Sequence, residues 1–285
     1  MIEHVVLSGG GPNCLIQLGI VAELRRCGHL DHLKSVYGTS AGAINCVILA
    51  LGIPVDDFVD YMVTRPWHKW LDVNFMLAND MGGLAPAMKI NEMLTPMLKA
   101  QGIDPNITMK EAFEKTGIET HIFTTEMKSF TLVDLNHLTF PDLPIVHAAS
   151  MSSAIFPLFA PFVHNEVYYS DGGLRNNFPM DVLLSKKPDL DTILGINILG
   201  NGPHFSTQMT FLETIYYMMV KTAVEIGHIS HTHRLAAQCK YYLGYTNTSI
   251  LSFSLWTQVF SEAEFRRAMV DKGVEAGKAF ILEKW

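Results

Sequence analysis

Twice between His4 and Leu51, a short β-type run breaks at glycine and passes directly into an apolar-faced helical pattern. The first run is His4-Val5-Val6-Leu7, followed by Gly9-Gly10-Gly11 and Pro12. Proline suits the first position of a helix, where its missing N–H would be unpaired anyway. The helix that follows carries two stripes, Leu15, Leu18, Ala22 and Ile16, Ile20, Leu24, which together make a face broad enough to press on a sheet. Gly28 stops it. The second run, around Lys34 to Tyr37, turns at Gly38 into a helix whose buried side is Ile44, Val47, Ile48 and Leu51. Strand, glycine turn and helix, repeated, open a mainly parallel α/β sheet.

Further along, residues 54–117 read as mainly helical. Glu119 to Met127 and Phe130 to Leu135 alternate as a hairpin would, Glu166 to Ser170 leads into Asp171, and Thr192 to Ile198 reads as a buried strand. Two long helical stretches are expected near Phe211 to Ala237 and Glu262 to Leu282. With no repeat, low-complexity tract or linker, the expectation is one domain over residues 1–285, with a motif-bearing core over about 4–200 and a helical C-terminal part over about 205–285. A hydrophobic share of 48% against 17% charged supplies a large core. Twenty-eight acidic against 21 basic residues give a net charge of −7, which argues against nucleic acid as a partner. Membrane contact would rest on apolar insertion rather than attraction to anionic lipid. Cys14, Cys27, Cys46 and Cys239 lack metal-ligand spacing and read as free thiols. Met1-Ile2-Glu3-His4 lacks the basic and apolar regions of a signal peptide, and no apolar stretch is long enough to span a bilayer. The expectation is a cytoplasmic protein.

Three segments bear chemistry. Gly38-Thr39-Ser40-Ala41-Gly42 is a G-x-S-x-G pentapeptide at the strand-to-helix turn. A nucleophile exposed there needs a strained backbone and almost no side chain two residues either side. The plain alternative is a serine that merely caps a helix. Gly9-Gly10-Gly11 could bring backbone N–H groups to a developing oxyanion. It is not a dinucleotide fingerprint, because Cys14 stands at the third glycine, and no Gly-Lys-Ser/Thr follows to make a phosphate loop. Asp171-Gly172-Gly173 puts an acid at a strand end, on the edge where α/β sites form, though Asp-Gly is also a common turn.

Taken in order, these segments resemble the patatin-like phospholipase family, as do Ala149 to Pro157 with Pro161, and Asn177-Phe178-Pro179. The resemblance covers about residues 4 to 200. It implies a three-layer α/β/α fold with a mainly parallel central sheet and a Ser–Asp dyad without histidine. Ser40 would be the nucleophile and Asp171 its base, with Gly9, Gly10 and Gly11 as oxyanion loop and donation from Gly10 and Gly11. Gly38, Gly42, Gly172 and Gly173 would support the motifs. It further implies phospholipid or other glycerolipid acyl esters as substrate, peripheral contact with membranes, and no cofactor or metal. The chain departs from the family at Asn13 and Cys14, where a basic residue and glycine are usual, which bears on how closely the first helix packs. Acyl transfer, thioester hydrolysis and a catalytically silent lipid-binding homologue remain rival readings.

A Ser–His–Asp triad would require His204, His228, His231 or His233, and the last three lie on a charged stretch that reads as solvated. His228 and His231 with Glu225 are too few for a metal site. Trp67 to Leu71 with Phe75, Met76, Leu77 and Met81 reads as a helix on the core or as a flap that meets lipid. The stripe Tyr216, Met219, Val220 and Ala223 reads as core rather than a lipid groove.

Overall fold

A computed structural model of the chain describes residues 1–70, 82–199, 205–229, 236–246 and 253–285. Val5 and Leu7 point to one side of the first strand and Val6 to the other, and the two sets enter separate hydrophobic clusters. That alternation is the two-residue period of a strand with both faces covered. The strands are β1 (His4–Leu7), β2 (Ser35–Thr39), β3 (Glu119–Glu126), β4 (Thr131–Leu135), β5 (Phe162–His164), β6 (Val167–Asp171), β7 (Ile193–Leu199) and β8 (Tyr241–Thr246). They form one sheet in the order β5-β6-β3-β2-β1-β7-β8, with β4 also paired to β3. The pairs β3–β2, β2–β1, β1–β7 and β7–β8 are parallel, whereas β4 and β6 run against β3 and β5 against β6.

The helices are α1 (Cys14–Arg26), α2 (Ala41–Ala50), α3 (Val55–Thr64), α4 (Lys89–Ala100), α5 (Met109–Thr116), α6 (Ile145–Ser152), α7 (Met180–Ser185), α8 (Phe211–Ile229), α9 (Phe253–Ser261) and α10 (Ala263–Lys284). The larger cluster gathers apolar residues of α1, α2, α3, α4 and α6 on one face of the sheet. The smaller gathers Tyr37, Phe123, Phe178, Met180 and Leu183 on the other. The result is a three-layer α/β/α arrangement. The Glu119 to Leu135 hairpin is present as β3 and β4. The C-terminal part, expected to be helical, also supplies β8 to the sheet edge beside β7. Its Tyr-Tyr-Leu-Gly-Tyr-Thr run is β-prone, but a six-residue edge strand is a weak signal beside two long helices.

One register detail positions the site. Phe123 of β3 pairs with Thr39 of β2, and Thr124, the next residue, pairs with Asp171 of β6. Residues 122–126 of β3 pair on their other edge with β4. Therefore β2 and the antiparallel β6 lie end to end along the same edge of β3, and their C-terminal ends meet. The departure at Asn13 does not loosen α1. The Asn13 side chain is buried and donates to the Gly10 carbonyl at 3.2 Å, and Leu15 and Ile16 below it are buried.

Candidate active site

At the junction of β2 and α2, Ser40 adopts φ 54° and ψ −123°, a conformation non-glycine residues rarely hold. Two contacts keep it there. The Ser40 N–H donates to Ser152 Oγ at 2.8 Å, and Ser152 in turn donates to the Phe123 carbonyl at 2.5 Å. The Ser40 carbonyl accepts from Ala43 at 2.9 Å in the first turn of α2. The turn tolerates no side chain beside it. A Cβ on Gly42 would lie 2.4 Å from the Leu7 carbonyl oxygen, and one on Gly38 would lie 2.6 Å from Cys46 Sγ. Close packing of α2 on the end of β1 thus requires glycine at 42, and the fold of α2 back onto β2 requires it at 38.

Ser40 Oγ donates to Asp171 Oδ2 at 2.6 Å. The second carboxylate oxygen, Oδ1, accepts from the Gly173 N–H at 2.7 Å. Gly172 brings the turn hard against β3, since a Cβ there would sit 2.2 Å from the Phe123 carbonyl oxygen. Burial pushes the Asp171 carboxyl up to about 6, against the lowering effect of its bonds from Ser40 and Gly173. No imidazole hydrogen-bonds to Ser40 or Asp171 among the described residues. His204, His231 and His233 lie outside the described residues, as does the side chain of His228 in α8. Glu225 is ion-paired to Lys221 at 2.8 Å. Burial pushes the Tyr216 phenol up, and the Asp171 charge adds to that, so a neutral hydroxyl stands near the carboxylate.

The glycine loop divides its labour. The Gly9 N–H donates to the Asn177 carbonyl at 2.9 Å, and Asn177 Nδ2 returns a bond to the Gly9 carbonyl at 3.2 Å. Gly9 is therefore a fastened end of the loop, with its N–H already committed to Asn177, unlike what is expected of an oxyanion donor. Gly10 and Gly11, the latter at φ 53°, precede the N-terminal turn of α1 and face the same cavity as Ser40. Asn177 and Ser152 had no role assigned from sequence. Both stand inside the two additional stretches that resemble the family, which was the available signal.

Ser40 and Asp171 line a cavity of about 270 Å³. Its walls are mainly apolar, with Trp67, Trp70, Met93, Phe159, Trp256 and Phe260 prominent. Met219 and Val220 line it too, so that stripe serves the cavity as well as the core; the Ala223 side chain lies outside the described residues. Leu71, Phe75, Met76, Leu77 and Met81 of the segment read as a core helix or a flap also lie outside them. Cys14 reaches the cavity, but burial pushes its thiol up to about 12, which keeps it from being a thiolate nucleophile. Ser153 lines the wall, and its buried hydroxyl has no hydrogen-bond partner among the described residues, which suits a substrate oxygen. Among the described residues no cluster of three His, Cys, Asp or Glu is placed to hold a metal, and no helix is long and apolar enough to cross a membrane.

Comparison with known proteins bears on this arrangement. The family model described as Patatin-like phospholipase matches residues 5–184, a span that contains the glycine loop, Ser40 and Asp171. The chain is 28% identical over 208 residues to probable lipid hydrolase 463L of Invertebrate iridescent virus 6, covering 69% of this chain and 70% of the viral protein. It is 24% identical over 206 residues to an uncharacterized protein of Acanthamoeba polyphaga mimivirus, covering 70% and 67%. VipD from Legionella pneumophila shares the fold at a TM-score of 0.56 and 16% identity, over 99% of this chain and 67% of that one.

Proposed function

The chain belongs to the patatin-like phospholipase family, and from that premise we propose that it is a lipid acyl hydrolase working through a Ser40–Asp171 dyad. The observation that carries this reading is the 2.6 Å bond from Ser40 Oγ to Asp171 Oδ2 in the wall of an apolar cavity. Family membership and the viral lipid hydrolase support lipid hydrolase activity at the coarser level.

In this mechanism Asp171 Oδ2 takes the Ser40 proton as Oγ attacks the acyl carbonyl carbon. The carbonyl oxygen becomes an anion stabilised by the N–H groups of Gly10 and Gly11 and by the N-terminus of α2. Asp171 then protonates the departing alcohol oxygen, leaving an acyl-serine. Water then attacks the acyl carbon, giving one proton to Asp171, and Asp171 returns that proton to Ser40 Oγ as the C–O bond to serine breaks and the fatty acid leaves. A carboxyl near 6 is a better base than an ordinary aspartate and still ionised at neutral pH. The apolar walls suit a fatty-acyl chain, which points to phospholipid or other glycerolipid esters and to peripheral contact with a membrane. Trp256, Val259, Phe260 and Arg266 of α9 and α10 complete those walls, so residues 1–285 act as one catalytic unit.

Wild type should label with a fluorophosphonate and release free fatty acid from phospholipid vesicles. Ser40→Ala should do neither, with turnover lower by about three orders of magnitude or more. Acyl transfer to an added alcohol without fatty acid release would favour a transferase, and labelling that survives Ser40→Ala would place the nucleophile elsewhere.

A further inference from the structure

Beyond Phe123, β3 continues to Glu126, about 10 Å past the level of Thr39, at the end of the sheet that carries Ser40. The turn that follows is tied down at its base. Glu126 accepts from the N–H groups of Lys128 at 2.8 Å and Ser129 at 3.1 Å, and from the Ser129 hydroxyl. At its tip stands Phe130, with φ 54° and half its surface in solvent. Left-handed backbone at an exposed turn is where glycine or asparagine is favoured, and a bulky aromatic there is a strained choice. Among the described residues Arg175 packs over the ring, and half of the Phe130 surface still faces solvent. Its neighbours are exposed and apolar too. Met127 donates its N–H to the Tyr168 carbonyl, and Tyr168 pairs with Val163 across β5 and β6. The four side chains are 45% (Met127), 50% (Phe130), 52% (Val163) and 56% (Tyr168) exposed. Arg175, which lines the dyad cavity, sits over the Phe130 ring at 5.8 Å, so this patch is continuous with the rim of the site.

We infer that the β3–β4 turn and the adjoining β5–β6 hairpin are the surface by which this protein docks on a phospholipid membrane. Phe130 and Met127 would enter the interfacial layer, with Tyr168 beside them. Lys128 and Arg175 would keep their charges among the headgroups while their stems lie along the apolar patch. The rigid turn presents Phe130 at no further ordering cost on binding. Docking there would set the cavity rim against the source of its substrate, and the inference rests on the lipid-ester reading of the site given above. A net charge of −7 makes apolar insertion, not attraction to anionic lipid, the driving force.

The test is co-sedimentation of the full chain with phosphatidylcholine vesicles, read as bound protein and independently of turnover. Wild type should partition onto the vesicles with little dependence on salt. Phe130→Asn and Met127→Ser should each weaken partitioning, the former by about 10-fold or more. Because asparagine tolerates the left-handed turn, Phe130→Asn should melt no lower than wild type, the opposite of what loss of a structural aromatic would do. Leu282→Ser is the control. It removes an exposed leucine near Trp285, which stacks on Tyr241 at the start of β8, the sheet edge away from Ser40, and should bind as wild type does. Wild type that stays in the supernatant, or Phe130→Asn that binds equally well, would overturn the inference. So would light scattering showing that the patch joins two copies of the chain. Hydrolysis surviving Ser40→Ala would instead defeat the catalytic reading and leave the vesicle result standing.

Discussion

In the proposed mechanism Asp171 must be ionised to take a proton from Ser40, yet it is buried, and burial disfavours the charge. The bonds from Ser40 Oγ and the Gly173 N–H offset part of that cost, and the carboxyl settles at about 6. Two consequences follow with opposite signs. For catalysis, kcat/KM should rise with pH through about 6 and level off above it, as the base ionises. For stability, a folded value raised from 3.8 means that the fold holds the proton more tightly than the unfolded chain does. That stabilisation is full below about 4 and is lost as pH rises through about 6, and the loss is about 3 kcal/mol at neutrality. Asp171→Asn should therefore abolish turnover while raising the unfolding midpoint at pH 7. Thermal melts of the two proteins at pH 5 and pH 8 would check this, with the larger gain expected at pH 8; a loss of stability at pH 8 would contradict the burial argument.

Elements are held at the site by contacts far from one another in sequence. Arg266 of α10 is buried without a carboxylate partner among the described residues. Its guanidinium instead donates to the carbonyls of Val63 at 2.9 and 2.7 Å, Arg65 at 3.0 Å and Val259 at 2.7 Å. Those carbonyls end α3 and α9, where helix dipoles are negative and the last C=O groups lack intrahelical partners. One side chain thus caps two helices that wall the cavity. Arg266→Met should cost about 3 kcal/mol in denaturant unfolding, because it takes the guanidinium donors from the carbonyls of Val63 and Val259. Arg266→Lys should recover only part, since an ammonium cannot span the same fork of acceptors.

Across the whole molecule, α10 lies against α1 through a glycine crossing. A Cβ on Gly273 would sit 2.0 Å from the Ile16 carbonyl oxygen, and one on Gly19 would sit 2.1 Å from that of Val270. Since α10 carries Arg266, this crossing fixes the far wall of the cavity as well as the helix layer. Gly273→Leu should force α10 outward and lower the thermal midpoint by about 5 °C or more. Turnover of long-chain esters should fall further than that of short-chain ones, because the dyad itself stands on β2 and β6. Equal losses on both substrates would mean that α10 supports the dyad directly.

The local chemistry of the site was legible in the sequence because it is written in short range. Glycines at 38 and 42 mark a crowded strand-to-helix turn around Ser40, glycines at 172 and 173 mark the tight turn after Asp171, and the alternating Val5, Val6 and Leu7 mark a two-faced strand. The parallel opening of the sheet and the β3–β4 hairpin follow from the same periodicities. What no local pattern carries is the register that lays antiparallel β6 end to end with β2 on one edge of β3, and so brings Asp171 to 2.6 Å from Ser40. The β8 edge strand, the Asn177 clamp on Gly9, the Ser152 support of Ser40 and the Arg266 cap likewise depend on partners many residues away. Propensity and period act over a few residues and specify which turn bears the candidate nucleophile. Pairing and burial act across the folded chain, and they alone decide which acid reaches it, how far its proton affinity moves, and which cavity the pair faces.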